Sequence, residues 1–515
     1  MFYIAENFNQ PLDSWDVSSV TSMTSMFYKA ENFNQPLNNW DVSSVMDQQG
    51  VFNNAKNFNQ PLNNWNVFNV TNMTNMFWNA ESFNQDISNW NIENVNDWTG
   101  FGSGATSMSD EFQAIIDVSG IYKWNYFKYK FDDSELSTAL NNWFDDSSGA
   151  IVNYGHISYW DVSQVTNMNS LFYDTSGTYS SFNEDISNWD VSLVTNMDNM
   201  FWNAENFNIP LNSWDVSKVT SMYRMFRTDD VSGGQFNQDI GNWNVSNVKN
   251  MNSMFRNQRF FNKPLNSWDV SQVTSMYYMF NCTDDVSGGQ FNQDIGNWDV
   301  SIVQNMNSMF RNQRFFNKPL NSWNVSKVSD IQFMFDNTEA FNQNINDWSV
   351  SSVTNMYGVF RNTTVFNQPL DKWDVSSVRK MQAMFANADA FDQDISSWNV
   401  FSVTNMINMF YIAENFNQPL DSWDVSSVTS MTSMFYKAEN FNQPLNSWNV
   451  LSVMDQKGVF SHAKNFNQPL NNWNVFNVTN MTNMFWNAES FNQDISNWNI
   501  ENVNEWTNFG SGATL

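Results

Sequence analysis

Apolar and polar positions alternate in one phrase that the chain repeats throughout most of its length. At residues 12–35, Leu12, Trp15, Val17, Val20, Met23, Met26, Phe27, Ala30 and Phe33 are apolar, and Asp, Ser, Thr and Asn fill most of the places between. The phrase restarts at Leu37 and Trp40. Its Trp recurs at 15, 40, 65 and 90, then at 160, 189, 214, 243, 268, 298, 323, 348, 373, 398, 423, 448, 473 and 498. Repetition at a nearly fixed period of this length marks a solenoid, in which each unit buries its apolar side only against its neighbours.

Spacing within the phrase predicts two elements per coil. Trp15 and Val17 alternate with Asp16 and Ser18, which predicts a short strand with Trp and Val turned inward. Val20, Met23, Met26, Phe27 and Ala30 follow three- and four-residue steps, the mark of a helical turn or two, with Ser18 placed as its N-cap. Phe33-Asn34-Gln35 then turns the chain back. The expected fold class is therefore an α/β solenoid: right-handed coils of about 25 residues, each with a short parallel strand and a short helix. Stacking would place Trp160, Trp189, Trp214, Trp243, Trp268, Trp298, Trp323 and Trp348 over one another, roughly 4.7–4.9 Å apart. The Met rows would fill the gap beneath, and the Asn of each F-N-Q turn would form a ladder of amides.

The phrase F-N-Q-P-L-N-N-W-D-V-S-S-V-T-N-M resembles the 25–26-residue leucine-rich-type repeats of BspA-like proteins and related surface lipoproteins. The resemblance covers nearly all of the chain outside 107–157. It implies an extracellular or cell-surface solenoid concerned with adhesion or display and no enzymatic activity.

Residues 1–98 match residues 409–506 almost letter for letter. The reading is that 1–106 ends a first array, 107–157 is a linker and N-terminal cap, and 158–514 is a second array of fourteen coils. Such modules could continue head to tail into a longer native chain, of which this sequence is a window. Within the middle stretch, Ile121 to Phe131 is aromatic and partly alternating, a candidate strand or hairpin arm. Asp132 and Glu135 have capping-box spacing before Leu136, Ala139, Leu140 and Trp143, which share one helical face.

Charge narrows the partners. Lys and Arg total 23 against 52 Asp and Glu, a formal net charge of −29. A polyanion of this kind excludes nucleic acid held through its phosphates and disfavours an anionic membrane surface. No apolar run is long enough to span a membrane. One cysteine, Cys282, allows no internal disulfide. Two histidines, His156 and His462, lie far apart without the partners that nucleophilic or metal catalysis requires.

Three coils are lengthened, between Trp160 and Trp189, Trp214 and Trp243, and Trp268 and Trp298. Two carry the acidic loops Asp229-Asp230-Val231-Ser232-Gly233-Gly234 and Asp284-Asp285-Val286-Ser287-Gly288-Gly289. Asp229, Asp230, Asp284 and Asp285 are candidate Ca2+ ligands, since a hard cation takes carboxylate oxygens, though the loops lack EF-hand spacing. The competing reading pairs them with Arg224, Arg227, Arg256, Arg259, Arg311 and Arg314. No other cofactor is expected. Sequons stand at Asn69, Asn72, Asn244, Asn281, Asn324, Asn362, Asn477 and Asn480, candidate glycan sites in a secreted eukaryotic chain or by-products of the repeat. The expected role is an extracellular structural protein whose partners are further copies of itself, assembling into a fibre. The alternative is an adhesin that holds a host protein or glycan on its strand face or acidic loops.

Overall fold

Two residues in each coil of ordinary length adopt left-handed backbone angles, and they decide the fold. They lie ten and fourteen places after the Trp: Ser433 and Lys437 at φ 53° and 54°, Asn199 and Asn203 at 56° and 62°, Asn483 and Asn487 at 57° and 56°. No α-helix runs through such residues. In the computed structural model, which describes residues 1–87, 90, 92, 94–108, 130–173, 177–229, 233–283 and 288–513, the expected helix is replaced by successive tight turns.

The coil that opens at Trp423 shows the scheme. Met434, Tyr436 and Ala438 donate backbone N–H groups to the carbonyls of Met431, Ser433 and Phe435, each three residues back, at 3.0, 3.2 and 3.0 Å. The residues between them face the next coil. Met431, Ser433, Phe435 and Lys437 donate to the carbonyls of Asp455, Lys457, Val459 and Ser461 at 3.3, 2.8, 2.9 and 2.8 Å. Half of the N–H groups thus close turns and half join coils, which meets the backbone's hydrogen-bonding demand without a helix.

Among the described residues the expected strand is also absent. Asp424 Oδ1 accepts the Ser426 N–H at 3.0 Å, and Val428 N–H returns to the Val425 carbonyl at 2.9 Å, so the chain turns directly after the Trp. Ser18 likewise is no N-cap: its N–H and hydroxyl both donate to Asp16 Oδ1. Parallel pairing survives as one bridge per coil, seven places after the Trp, as in Ser430 with Asp455 and Asp455 with Asn480. The architecture is a repeat solenoid built from turns.

The chain forms two units, Met1–Gln164 and Val165–Leu515. In the second, two phenylalanine columns make the centre of the core. Phe410, Phe435 and Phe460 stack at 5.5 and 5.7 Å between ring centroids, and Phe416, Phe441 and Phe466 at 6.0 Å. Within a coil the two columns touch, as Phe435 does Phe441 at 4.1 Å. The Phe read as part of a turn is thus fully buried core. Indoles form a third column: Trp268 and Trp298 lie 6.4 Å apart, Trp323 and Trp348 6.3 Å, with planes within 4°. All eight named Trp residues, from Trp160 to Trp348, are buried, at 2–4% exposure. Their spacing exceeds the strand spacing expected because each ring is offset as well as raised.

The asparagine ladder is present. Asn442 N–H donates to Asn417 Oδ1 at 2.9 Å, and Gln443 Nε2 reaches the same oxygen at 3.1 Å; Asn467 and Gln468 repeat this on Asn442.

In the first unit, Asp132 caps α1 (Asp133–Asp145), accepting the N–H groups of Ser134 and Glu135, and Glu135 returns the bond. Leu136, Ala139, Leu140 and Trp143 form its buried face. Asp146 then caps α2 (Ser147–Tyr154) through the Gly149 N–H. Phe131, Trp143 and Tyr154 pack round Trp160 at 4.9, 6.0 and 6.1 Å. Lys130 pairs with Asp161 in a parallel bridge. Most of the expected Ile121–Phe131 arm lies outside the described residues.

Candidate functional site

The position thirteen places after the Trp projects from the turn region between the two left-handed residues, and it carries the chain's least repetitive side chains. In the second unit it reads Tyr173, Trp202, Arg227, Arg256, Asn281, Arg311, Asp336, Arg361, Ala386, Tyr411, Tyr436, Ser461 and Trp486. The left-handed site three places earlier adds Arg224, Tyr278 and Phe333, at φ 56°, 57° and 54°. Bulky residues seldom take these angles, and strained positions gather where a surface has work to do.

Two clusters stand on this face. In the first, Tyr173 stacks on Trp202 at 4.1 Å. The guanidinium carbons of Arg224 and Arg227 each lie 4.9 Å from the Trp202 ring, and that of Arg224 lies 4.5 Å from Tyr223. Arg256 sits 5.0 Å over Tyr278. Burial, then the neighbouring Arg227 charge, pushes Arg256 below the usual arginine range. Burial and a hydrogen bond with Tyr278 push the Tyr277 phenol up to about 12.

In the second cluster, Arg311 and Arg361 both lie 5.1 Å over the Phe333 ring. The Asp336 carboxylate sits between them, accepting Arg311 Nε at 2.9 Å and Arg361 Nε and a terminal nitrogen at 2.8 and 2.7 Å. Asp336 is fully buried.

The lengthened coils adjoin these clusters. Of the four candidate calcium ligands, Asp230, Asp284 and Asp285 lie outside the described residues. Asp229 accepts Arg227 Nε at 3.0 Å, a terminal nitrogen of the same guanidinium, and Trp202 Nε1 at 2.9 Å. Its carboxyl is lowered overall: burial opposes, and the Arg227 hydrogen bonds and charge outweigh it. These are the surroundings of an ion pair with arginine. Among the described residues, no three His, Cys, Asp or Glu side chains gather as a metal site. The Asp row behind the Trp serves turns instead: Ser hydroxyls first, then backbone N–H groups, lower Asp215, Asp299 and Asp374.

Each loop is seated by a glutamine that the sequence reading passed over. Gln258 donates to the Phe226 carbonyl and accepts the Phe236 N–H at 3.1 Å. Gln313 does the same for Phe280 and Phe291. Gly234 and Gly289 lie against these amides, where a Cβ would come within 2.2 Å. The repeated R-N-Q-R-F-F after each loop was the available signal.

The sequon asparagines are mostly engaged. Asn69 and Asn477 donate to the carbonyls of Ser43 and Leu451 at 2.8 and 2.9 Å. Asn72 and Asn480 occupy the bridge row and accept from Thr74 and Thr482. Asn244 and Asn324 accept the N–H of Ser246 and Ser326 on the exposed face. Asn281 is buried, and Asn362 joins the Asn387 amide.

A family model described as "Mycoplasma protein of unknown function, DUF285" matches residues 1–115, 138–230, 230–289, 286–371, 339–443 and 415–514. The chain belongs to this repeat family. No curated protein matches it. Among solved structures, the crystal structure of a TLR13–ssRNA13 complex is similar at 8% identity, covering 100% of this chain and 82% of that one. Its TM-score of 0.18 is too low to argue from.

Proposed function

We propose that this chain is a structural protein of the cell exterior, a BspA-like, leucine-rich-type scaffold whose coils continue from copy to copy into a fibre. One observation carries the reading: each coil offers the next the same acceptors, as Asn417 offers Asn442 and Asn442 offers Asn467. The near-identity of residues 1–98 and 409–506 means that these acceptors and donors recur at both places. A coil from a second copy could therefore join the same ladders. No helix among the described residues is long and apolar enough to cross a membrane. Electron microscopy of the native particle tests the proposal. Filaments on the cell surface are the expected result; dispersed monomers at high concentration and no surface labelling would sink it.

The aromatic and cationic face favours a second reading, an adhesin. A saturable partner from glycan or protein array screening that maps to this face would support it.

A further inference from the structure

The two clusters treat their guanidinium groups differently. Where Arg311 and Arg361 flank Phe333, the Asp336 carboxylate lies between them and bonds both. That cluster shows how this face holds an oxyanion: the ring fixes the guanidinium plane, and the in-plane N–H edge stays free to bond oxygen.

Arg224, Arg227 and Arg256 repeat the aromatic support without enough anions. Among the described residues, Asp229 is the carboxylate bonded to this group, and it takes Arg227. The nearby Asp198 carboxylate is occupied by the Tyr223 N–H and the Ser221 hydroxyl. The Nε atoms of Arg224 and Arg256 are buried and have no hydrogen-bond partner. A buried donor without a partner carries the cost of its own desolvation. Arg224 also holds a left-handed backbone position that Ser and Asn fill in other coils, such as Ser253, Ser308 and Asn408. Three cations on adjacent coils are conspicuous in a chain of net charge −29.

We propose that the half-buried guanidinium groups of Arg224 and Arg256 bind a ligand bearing a single oxyanion, a carboxylate or a sulfate ester. The anion meets guanidinium groups held against Trp202 and Tyr278, as Asp336 meets groups held against Phe333, and the order imposed by those rings lowers the entropy lost on binding. The negative field of the whole chain repels polyanions at long range, so the ligand carries one such group on an otherwise uncharged body. The site is independent of the scaffold reading, since fibre assembly can fail while anion binding stands.

The test is 15N NMR of the arginine side chains in the full chain, titrated with glucuronate and, separately, with methyl sulfate. Saturable shifts at Arg224 and Arg256, with little change at Arg314, are the expected result; whichever probe binds tighter names the oxyanion. Loss of one charge-assisted contact in R256Q or R224Q should weaken binding roughly ten- to a hundredfold. Circular dichroism confirms that the variants fold, and either folded variant suffices. Linear shifts spread over all arginines would overturn the proposal, as would saturation unchanged in both variants. So would a response that appears only in Asp230→Asn, because the chain's own carboxylate would then be the occupant.

Discussion

The indole Nε1 of Trp268 donates to the carbonyl oxygen of Ile240 at 3.0 Å, twenty-eight residues back along the chain. Trp298 makes the same bond to Leu265, and Trp423 to Ile395. Each of these Trp residues therefore does two things: its ring fills the column, and its N–H satisfies a carbonyl of the preceding coil. The Trp column is a seam as well as a filling.

Trp268→Ala should cost about 3–5 kcal/mol through the cavity it leaves. The Ile240 carbonyl also loses its partner. Because coils couple to their neighbours, hydrogen exchange should rise most in the coils opening at Trp243 and Trp298. An even rise along the second unit would contradict nearest-neighbour coupling.

Ile412 holds φ 56° at a place where Asn362, Asn387 and Asn487 stand in other coils. A β-branched residue pays about 1–2 kcal/mol for left-handed geometry, and Asn visits it far more readily. Ile412→Asn should accordingly raise stability by about 1 kcal/mol, read as a higher urea midpoint with unchanged slope. A lower midpoint would mean that Ile412's packing outweighs its backbone strain.

Gln456 is buried in the row that Met431 and Met481 occupy on either side, and both its amide oxygen and nitrogen lack partners. Gln48 repeats the arrangement in the first unit. Replacing the amide with the row's usual residue removes an unpaid desolvation. Gln456→Met should stabilise by about 1–3 kcal/mol in denaturant unfolding. A loss of stability would show that the amide has a bound water to hold it.

Asp16, Asp41, Asp374 and Asp424 are held below the usual carboxylate range by the hydroxyls of Ser18, Ser43, Ser376 and Ser426, and then by the N–H groups of the same residues. Lowered folded-state values mean that the folded chain prefers the charged form. Their contribution is complete above the unfolded value, about 3.9, and is lost as pH falls below it. The urea midpoint should drop between pH 5 and pH 3, and by less in Asp374→Asn, Asp424→Asn double variants.

Cys282 is buried, and burial pushes its thiol up to about 12. At neutral pH it should resist a thiol reagent in the native chain and react fully on unfolding. Its native labelling rate then reports opening of the lengthened coils. Rapid labelling under native conditions would mean that these coils open more easily than the rest of the unit.

Much of this was readable in the letters. Leu, Trp and Val positions told which side was buried, the F-N-Q asparagine announced its ladder, and Asp132 with Glu135 marked the start of α1. The turn-built backbone was not readable, because three- and four-residue steps serve a helix and a chain of turns equally. The discriminating signal was Asn or Gly at two fixed places, such as Asn75 and Asn79, where left-handed angles are tolerated. Phe33 was assigned to a turn through its Asn-Gln neighbours, yet Phe27 and Phe33 stack at 4.2 Å in the core. The arginines were picked out as partners of the acidic loops, as Arg227 is of Asp229, but the face they share with the aromatics was missed for another reason. Its members, such as Arg227, Arg256 and Asp336, form a column only when coils are aligned by their Trp residues, since each looks ordinary within its own coil.

Trp160 meets its need differently from its fellows: its Nε1 donates at 2.9 Å to the carbonyl of Gly155, at the end of α2. An ordinary coil borrows that acceptor from whatever coil precedes it, so duplicating or deleting a coil of ordinary length leaves this indole bond satisfied at the new junction. Copy number can therefore drift freely by recombination, while the helical hairpin before Trp160 has to be inherited intact.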